Sequence, residues 1–169
     1  MRRFLVILPT LLLLWTLVSQ LNHVLSPFHV YVFAGGLFVT YTALNFPLRA
    51  GMAASFVAGL VADANAPVPF GTHAMLFAAA GALLHDLRDR LPRDDTTGRV
   101  VIALMANFGL FLAMTFIEGA ASPAPAGLWP RLLADLVCSQ AALALAAPWF
   151  FALQGRALVL AGAEPEPLL

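Results

Sequence analysis

The polar residues best placed for chemistry lie around one short turn in an otherwise apolar chain. In the stretch GLVADANAPVPFGTHAML, Asp63 precedes the turn and His73 follows it, with Asn65 and two prolines between them. A carboxylate and an imidazole in apolar surroundings are candidates for proton transfer or metal binding. A metal would require more ligands at the same depth, and besides Asn65 only His23 and His29 come into question. We therefore expect a structural role for the turn, with no metal and no other cofactor.

A second polar cluster consists of Glu118, Arg131 and Asp135, which lie near the ends of two apolar runs. Arg131 and Asp135 are four residues apart, the spacing of an ion pair on a helix. We interpret the cluster as a charge-paired group at a membrane interface rather than a ligand site. Ser55 and His73 do not lie on a G-x-S-x-G element, and the sequence contains no phosphate-binding loop, dinucleotide fingerprint or HExxH motif. The sequence therefore does not predict an enzyme.

The composition surrounding these residues is that of an integral membrane protein. Of 169 residues, 61% are hydrophobic and only 11% are charged, whereas soluble domains are about a quarter charged. The formal net charge is zero, so there is no basic footprint for nucleic acid. The single cysteine, Cys138, excludes an intrachain disulfide.

Apolar runs separated by turn residues predict an all-α integral membrane protein, a bundle of six transmembrane helices. The first run is interpreted as an uncleaved span, because it is long and no signal-peptide cleavage site follows it. The third is the shortest, with a rise of about 24 Å against a hydrocarbon core of about 30 Å. The helices form one domain, residues 1–158, and residues 159–169 are predicted to be a flexible cytoplasmic tail. The predicted spans are 4–21, 28–46, 47–62, 70–87, 100–118 and 130–154.

The arginines predict the orientation of this bundle. All nine basic residues are arginines, and with the N terminus inside only Arg131 falls on the outer side. Such a bias follows the positive-inside rule and predicts that both termini are cytoplasmic. The only hydrophilic loop, residues 88–99, carries Arg88, Arg90 and Arg93. It is a candidate contact surface for a cytoplasmic partner, although a solvated connector is the simpler interpretation.

The segment around Asp63 is predicted to form a tight helical hairpin. Asp63 ends the third helix, Pro69 and its neighbours cannot continue it, and Gly71 opens the fourth. A carboxylate at this position can accept hydrogen bonds from the free N–H groups of Gly71 to His73. The hairpin is thus expected to be held by one acidic side chain.

Small residues at four-residue spacing follow both helices of the hairpin. In lipid this spacing lets helix backbones approach closely. It predicts tight packing within the chain or a docking face for another membrane protein, and the first is the simpler interpretation. The residues are Ala54, Ser55, Ala58, Gly59 and Ala62 on the third helix, and Ala74, Ala78 and Ala82 on the fourth.

Two amide side chains lie in apolar surroundings further along the chain. Asn107 belongs to the fifth predicted helix and Gln140 to the sixth. Both are predicted to hydrogen-bond across helices, which contributes about 0.6 to 2 kcal/mol each.

The pattern around the turn resembles the hallmark segment of a known family. Gly59, an apolar trio, Asp63, a short turn, an apolar residue with Gly71, then Ala74 and an apolar helix ending in the basic LRDRL resemble the MreD family. These are the rod shape-determining membrane proteins of bacteria. The size of the chain and its arginine-rich inner segments are also similar to that family. Elsewhere the likeness is one of hydropathy and length.

The resemblance implies a non-enzymatic scaffold of the cell-elongation complex in the bacterial inner membrane. It implies an MreC-like bitopic membrane protein as the partner. Directly or indirectly, it also implies a RodA-type transglycosylase with its transpeptidase, and MreB filaments. It further implies a fold similar to the substrate-binding subunits of energy-coupling-factor transporters. The surrounding membrane lipid is an expected contact, and nucleic acid is not.

The alternative is a substrate-binding membrane subunit of an energy-coupling-factor vitamin transporter. That class needs a polar, aromatic-lined outer pocket and small residues on its first helix for docking the coupling subunit. Here the first helix reads LLLLWTLV, which is bulky throughout, and the outer loops are short. An orphan transporter with Asp63 and Glu118 as coupling sites is a third hypothesis, which the lack of an internal repeat weakens.

Overall fold

The computed structural model is helical and contains no strand over the residues it describes, which are 2–64, 66, 68–91, 95–121 and 129–160. Within these ranges, side chains are described except at residues 2–8, 120, 121 and 158. Asn65, Pro67, Arg93, residues 122–128 of the outer connection and residues 161–169 of the predicted tail lie outside the described residues. The helices are α1 Arg2–Leu25, α2 Gly35–Asn45, α3 Leu48–Asp63, α4 Thr72–Leu87, α5 Thr96–Ala121 and α6 Trp129–Leu160.

The shortest of these helices, α2, lies at the centre of the bundle. Every residue from Gly35 to Leu44 is buried, and α2 contacts α3, α4, α5 and α6. Its sequence, GGLFVTYTALN, carries no charge and is small or apolar on most faces, so it can be enclosed on all sides. In contrast, α1 contacts α3 and α6 and leaves much of its leucine-rich surface exposed.

Three stretches of the described chain are long and apolar enough to cross a membrane, namely Pro9–Phe28, Thr96–Gly119 and Trp129–Ala157. The other helices, α2, α3 and α4, have 11, 16 and 16 residues. They rise by about 16 to 24 Å, less than the roughly 30 Å of a hydrocarbon core. Length and composition therefore support three spanning helices, where the sequence predicted six.

The second predicted span, 28–46, differs most from the structure. A 3₁₀ turn at Ser26–Phe28 and a left-handed His29, with φ of 55°, lead into residues 30–34, which form neither helix nor strand and are named the extended segment. The helix begins only at Gly35. The sequence VYVFA of this segment is rich in β-branched and aromatic residues, which favour extended backbone. Because these residues are also apolar, hydropathy alone merged them with the helix that follows.

The helices α3 and α4 pack with their backbones almost in contact. A Cβ atom added at Gly59 would lie 2.3 Å from Cα of Ala74. Gly81 extends this contact, since a Cβ there would lie 3.1 Å from the Ser55 hydroxyl. At their closest positions the small residues thus serve packing within the chain. Ser55, Ala58, Ala62 and Ala74 are at most 1% exposed, and Ala78 and Ala82 are half-buried.

We predict that Gly59→Ala destabilises the protein while Gly109→Ala does not. The added methyl at Gly59 meets the backbone of Ala74, which cannot move without separating the two helices. Such overpacking costs about 1 to 3 kcal/mol. At Gly109, in the middle of α5, no atom lies within 4 Å of the added Cβ. Thermal unfolding of both purified variants in detergent measures the difference, and equal midpoints would show that the approach of α3 to α4 is not close.

Candidate functional site

The carboxylate of Asp63 holds the turn between α3 and α4 together. Its Oδ2 accepts hydrogen bonds from the backbone N–H of Gly71 at 2.9 Å and of Ala74 at 3.2 Å. Its Oδ1 accepts from the backbone N–H of His73 at 2.9 Å. The side chain is completely buried. The hydrogen bonds predicted for this carboxylate are therefore present, and they satisfy N–H groups that the first turn of α4 leaves free.

The imidazole of His73 is fixed by the same carboxylate. Its Nδ1 lies 2.9 Å from Oδ1 of Asp63, so Nδ1–H donates to the carboxylate in the neutral ring. The ring packs edge-on against Phe77, with centroids 5.8 Å apart, and near Phe33 at 6.3 Å. Because Nδ1 is committed to Asp63, Nε2 is the nitrogen left for other contacts.

The extended segment before α2 is held by side chains from distant helices. Asn107, on α5, donates from Nδ2 to the carbonyl of Phe33 at 3.0 Å and accepts from the N–H of Gly36 at 3.1 Å. Asn22, on α1, pairs in the same two-sided way with Val32, at 2.9 and 2.7 Å. Two asparagine amides thus replace the helical hydrogen bonds that this segment lacks.

The sixth helix supplies the remaining contacts to this segment. Asp135 accepts from the N–H of Tyr31 at 2.8 Å, and the hydroxyl of Ser139 accepts from the N–H of Phe33 at 2.9 Å. The same hydroxyl lies 3.4 Å from the carbonyl of Tyr31. Asp135 and Ser139 are one turn apart on α6 and are both buried. Together with the asparagines, they fix the break in the bundle from three sides.

A cavity of about 360 Å³ lies between the hairpin, the extended segment, α5 and α6. Its apolar walls include Phe33, Phe111, Met114 and Leu132. The polar groups that line it are Tyr31, His73, Thr115, Glu118, Arg131 and Asp135. A cavity of this size, mostly apolar with a few convergent polar groups, is typical of a binding site for a small molecule or part of one.

The cavity brings together the outer charge cluster that the sequence predicted. Nε of Arg131 lies 3.9 Å from Oδ2 of Asp135, a long ion pair at i,i+4 spacing. The Arg131 side chain is 61% exposed and that of Asp135 only 8%. Glu118 is exposed at the rim. The cluster was predicted as an interfacial ion pair, and the cavity between its members was not predicted.

The residues proposed for cytoplasmic contact lie at the opposite end of α4. Nε of Arg88 is 3.7 Å from the carboxylate of Asp89, and its guanidinium lies 3.3 Å from Nδ1 of His85. Arg90 is exposed in the 3₁₀ turn, and Arg93 is not described. Among the described residues, no group of three or more His, Cys, Asp or Glu side chains could hold a metal ion.

Several of these contacts were beyond sequence reasoning. The hydrogen bonds predicted for Asn107 and Gln140 are confirmed. Asn107, on α5, bonds to Phe33 and to Gly36 of α2, and Gln140, on α6, donates to the carbonyl of Leu104 on α5 at 3.2 Å. Asn22 and Ser139 were missed. Asn22 directly follows the first predicted span, and Ser139 lies within the sixth, next to Gln140.

Comparison with known families matches most of the chain to one family. The family model described as rod shape-determining protein MreD matches residues 1–154 of the chain. This match contains the hairpin, the extended segment and every residue of the cavity. No curated protein and no solved structure matches the chain.

We predict that Asp63→Ala lowers the free energy of unfolding by on the order of 3 kcal/mol, because it leaves buried N–H groups without an acceptor. Asp63→Asn retains one oxygen but turns an NH₂ group toward the same donors, so its loss should be smaller. The measurement is folded yield and thermal midpoint in detergent, with Asp86→Ala, at an exposed position near the end of α4, as the control. Unchanged yield in both Asp63 variants would refute the structural role.

We also predict that Asn107→Leu destabilises the protein much more than Gln140→Leu. Leucine at 107 leaves the N–H of Gly36 and the carbonyl of Phe33 buried without partners, which costs on the order of 3 kcal/mol. The Gln140 amide makes one hydrogen bond, to Leu104, and its Oε1 is buried without a partner among the described residues. Thermal unfolding in detergent compares them, and a similar loss in both would mean that Asn107 does not hold the extended segment.

Proposed function

Since this chain belongs to the rod shape-determining protein MreD family, we propose that it is a non-enzymatic scaffold of the complex that elongates rod-shaped bacteria. The family is part of the MreBCD shape system, and the chain is a membrane protein with a role in rod shape determination. The match over residues 1–154 is the observation that carries the proposal. The direct partner is an MreC-like bitopic protein. A RodA-type transglycosylase, its transpeptidase and MreB filaments are reached directly or through that partner.

The proposed topology has six helices crossing the inner membrane and both termini in the cytoplasm. The arginine bias supports this, because Arg49, Arg88, Arg99 and Arg156 lie near helix termini that face away from the cavity. The three short helices are compatible with crossing because their broken ends are hydrogen-bonded by protein side chains. Irregular backbone at membrane depth is tolerated where it is buried in protein in this way.

The partner is proposed to pack on the outward face of α4. Ser55, Ala58 and Ala62 are buried within the chain and are not available to a partner helix. Ala78 and Ala82 are partly exposed, beside the exposed side chains of Met75 and Leu83. Small residues next to large apolar ones form a shallow groove into which a single transmembrane helix packs closely. Arg90 in the turn after α4 extends this face toward cytoplasmic components. The chain would thus function by binding other proteins and not by catalysing a reaction.

A solute-binding subunit of an energy-coupling-factor transporter is the second candidate. The cavity lined by Tyr31, Phe33, His73 and Phe111 favours it, because that class requires an aromatic, polar pocket. The family match favours the scaffold instead, and the bulky first helix offers no small-residue face for a coupling subunit. Co-purification of ATPase subunits would identify the second candidate.

We predict that the double variant Ala78→Leu/Ala82→Leu recovers at most about a tenth of the MreC-like partner. Two added side chains fill the groove and keep the partner helix from close contact. The measurement is affinity purification of the tagged protein from gently solubilised native membranes, with quantitative mass spectrometry. Ala146→Leu, a matched substitution at an exposed position on α6, is the control and should recover as much partner as the original sequence.

Two results would contradict this assignment. Full recovery of the MreC-like partner by the double variant would show that the partner does not dock on α4. Absence of that partner from the original protein, together with failure to restore rod shape in cells depleted of their own family member, would remove the scaffold function. Size-exclusion profiles of both variants establish that they are folded.

A further inference from the structure

The charged side chains that line the cavity near the hairpin determine which kind of ligand it can bind. Among the described residues, its charged side chains are two carboxylates, Glu118 and Asp135, and one guanidinium, Arg131. The guanidinium is mostly exposed, whereas Asp135 is buried. The buried charge is therefore negative, and the positive charge lies at the rim.

Besides the hydroxyls of Tyr31 and Thr115, the cavity is lined by three side chains that can accept a hydrogen bond. Asp135 uses Oδ1 for the N–H of Tyr31, while Oδ2 is 3.9 Å from Arg131 and beyond hydrogen-bond distance. His73 uses Nδ1 for Asp63, so Nε2 of the neutral ring carries a lone pair. With the carboxylate of Glu118 at the rim, these side chains supply three acceptors when the His73 ring is neutral. A primary ammonium group has three N–H donors and a positive charge, and it matches this set.

The remaining features of the cavity define what is attached to that ammonium. It lies where the apolar stretch of α5 ends at Gly119 and that of α6 begins at Trp129, the depth at which lipid headgroups meet the hydrocarbon. Arg131 at the rim provides a site for an anionic group next to the ammonium. The walls of Phe111, Met114 and Leu132 receive apolar atoms. A molecule with an ammonium group, then an anionic group and then an apolar tail is a zwitterionic lipid.

We propose that this cavity binds the headgroup of a phospholipid bearing a primary ammonium, with the ammonium at Asp135, His73 and Glu118 and the phosphate at Arg131. A trimethylated headgroup is larger and has no N–H to donate, and a glycerol headgroup has no positive charge. The site should therefore distinguish phosphatidylethanolamine from both. This inference does not depend on the proposed scaffold function, on its partner or on the orientation of the chain.

The test is native mass spectrometry of the purified full-length protein in detergent, with equal concentrations of phosphatidylethanolamine, phosphatidylcholine or phosphatidylglycerol added. Phosphatidylethanolamine is expected to bind about tenfold more tightly than the other two, the typical effect of one charged hydrogen bond. Both test variants are at exposed side chains: Glu118→Gln should reduce this preference by a similar factor, whereas Arg131→Gln should weaken the binding of all three lipids. Asp86→Asn, at the opposite end of α4, is the matched control and should retain the preference.

Three outcomes would overturn the proposal. The first is equal binding of the three lipids, which would leave a lysine side chain of a partner protein as the matching ammonium. The second is a preference that survives Glu118→Gln, or lipid binding that Arg131→Gln leaves unchanged, because the lipid would then bind elsewhere. The third is binding of water-soluble phosphoethanolamine as tightly as the intact lipid, which would make the ligand a free zwitterion. Melting curves without lipid establish that each variant is folded.

Discussion

The structure depends on the requirement that every backbone polar group within a bilayer find its partner inside the protein. Regular helices meet this requirement by themselves, but at two interruptions of its helices the chain must pair backbone groups in another way. One interruption is the turn between α3 and α4, and the other is the extended segment at residues 30–34. In both, side chains pair with N–H and C=O groups that no helix satisfies. The positions of those side chains determine how the helices are arranged.

At the hairpin the pairing is also electrostatic. The carboxylate of Asp63 lies at the N terminus of α4, where the helix dipole is positive, and three backbone N–H groups point at it. This cap fixes the first turn of α4 relative to the last residue of α3. The glycine at 59 can then bring the two backbones into contact one turn below. The cap and the close approach support each other, because neither geometry is reached if the helices separate.

The hairpin was predictable from the sequence and the extended segment was not, because the partners that hold the hairpin are close in the chain and those that hold the segment are far apart. The N–H groups that donate to Asp63 lie 8 to 11 residues after it in the chain, so turn chemistry and helix capping indicate them directly. The groups that hold Tyr31 and Phe33 come from 104 and 106 residues away. Their pairing depends on how α6 packs, which the sequence alone does not specify. Hydropathy correctly located the apolar runs, yet it could not separate an enclosed helix of 11 residues from a spanning one.

The cavity lies beside the same break, which interrupts the second predicted span, because Tyr31 and Phe33 from residues 30–34 both line it. Asp135 lines this space and also holds the break, because its Oδ1 accepts from the N–H of Tyr31. His73 lines it as well and is held by Asp63 of the hairpin. A molecule in the cavity therefore binds only the state in which the segment is correctly held. By mass action, its binding stabilises the segment as well as occupying the space.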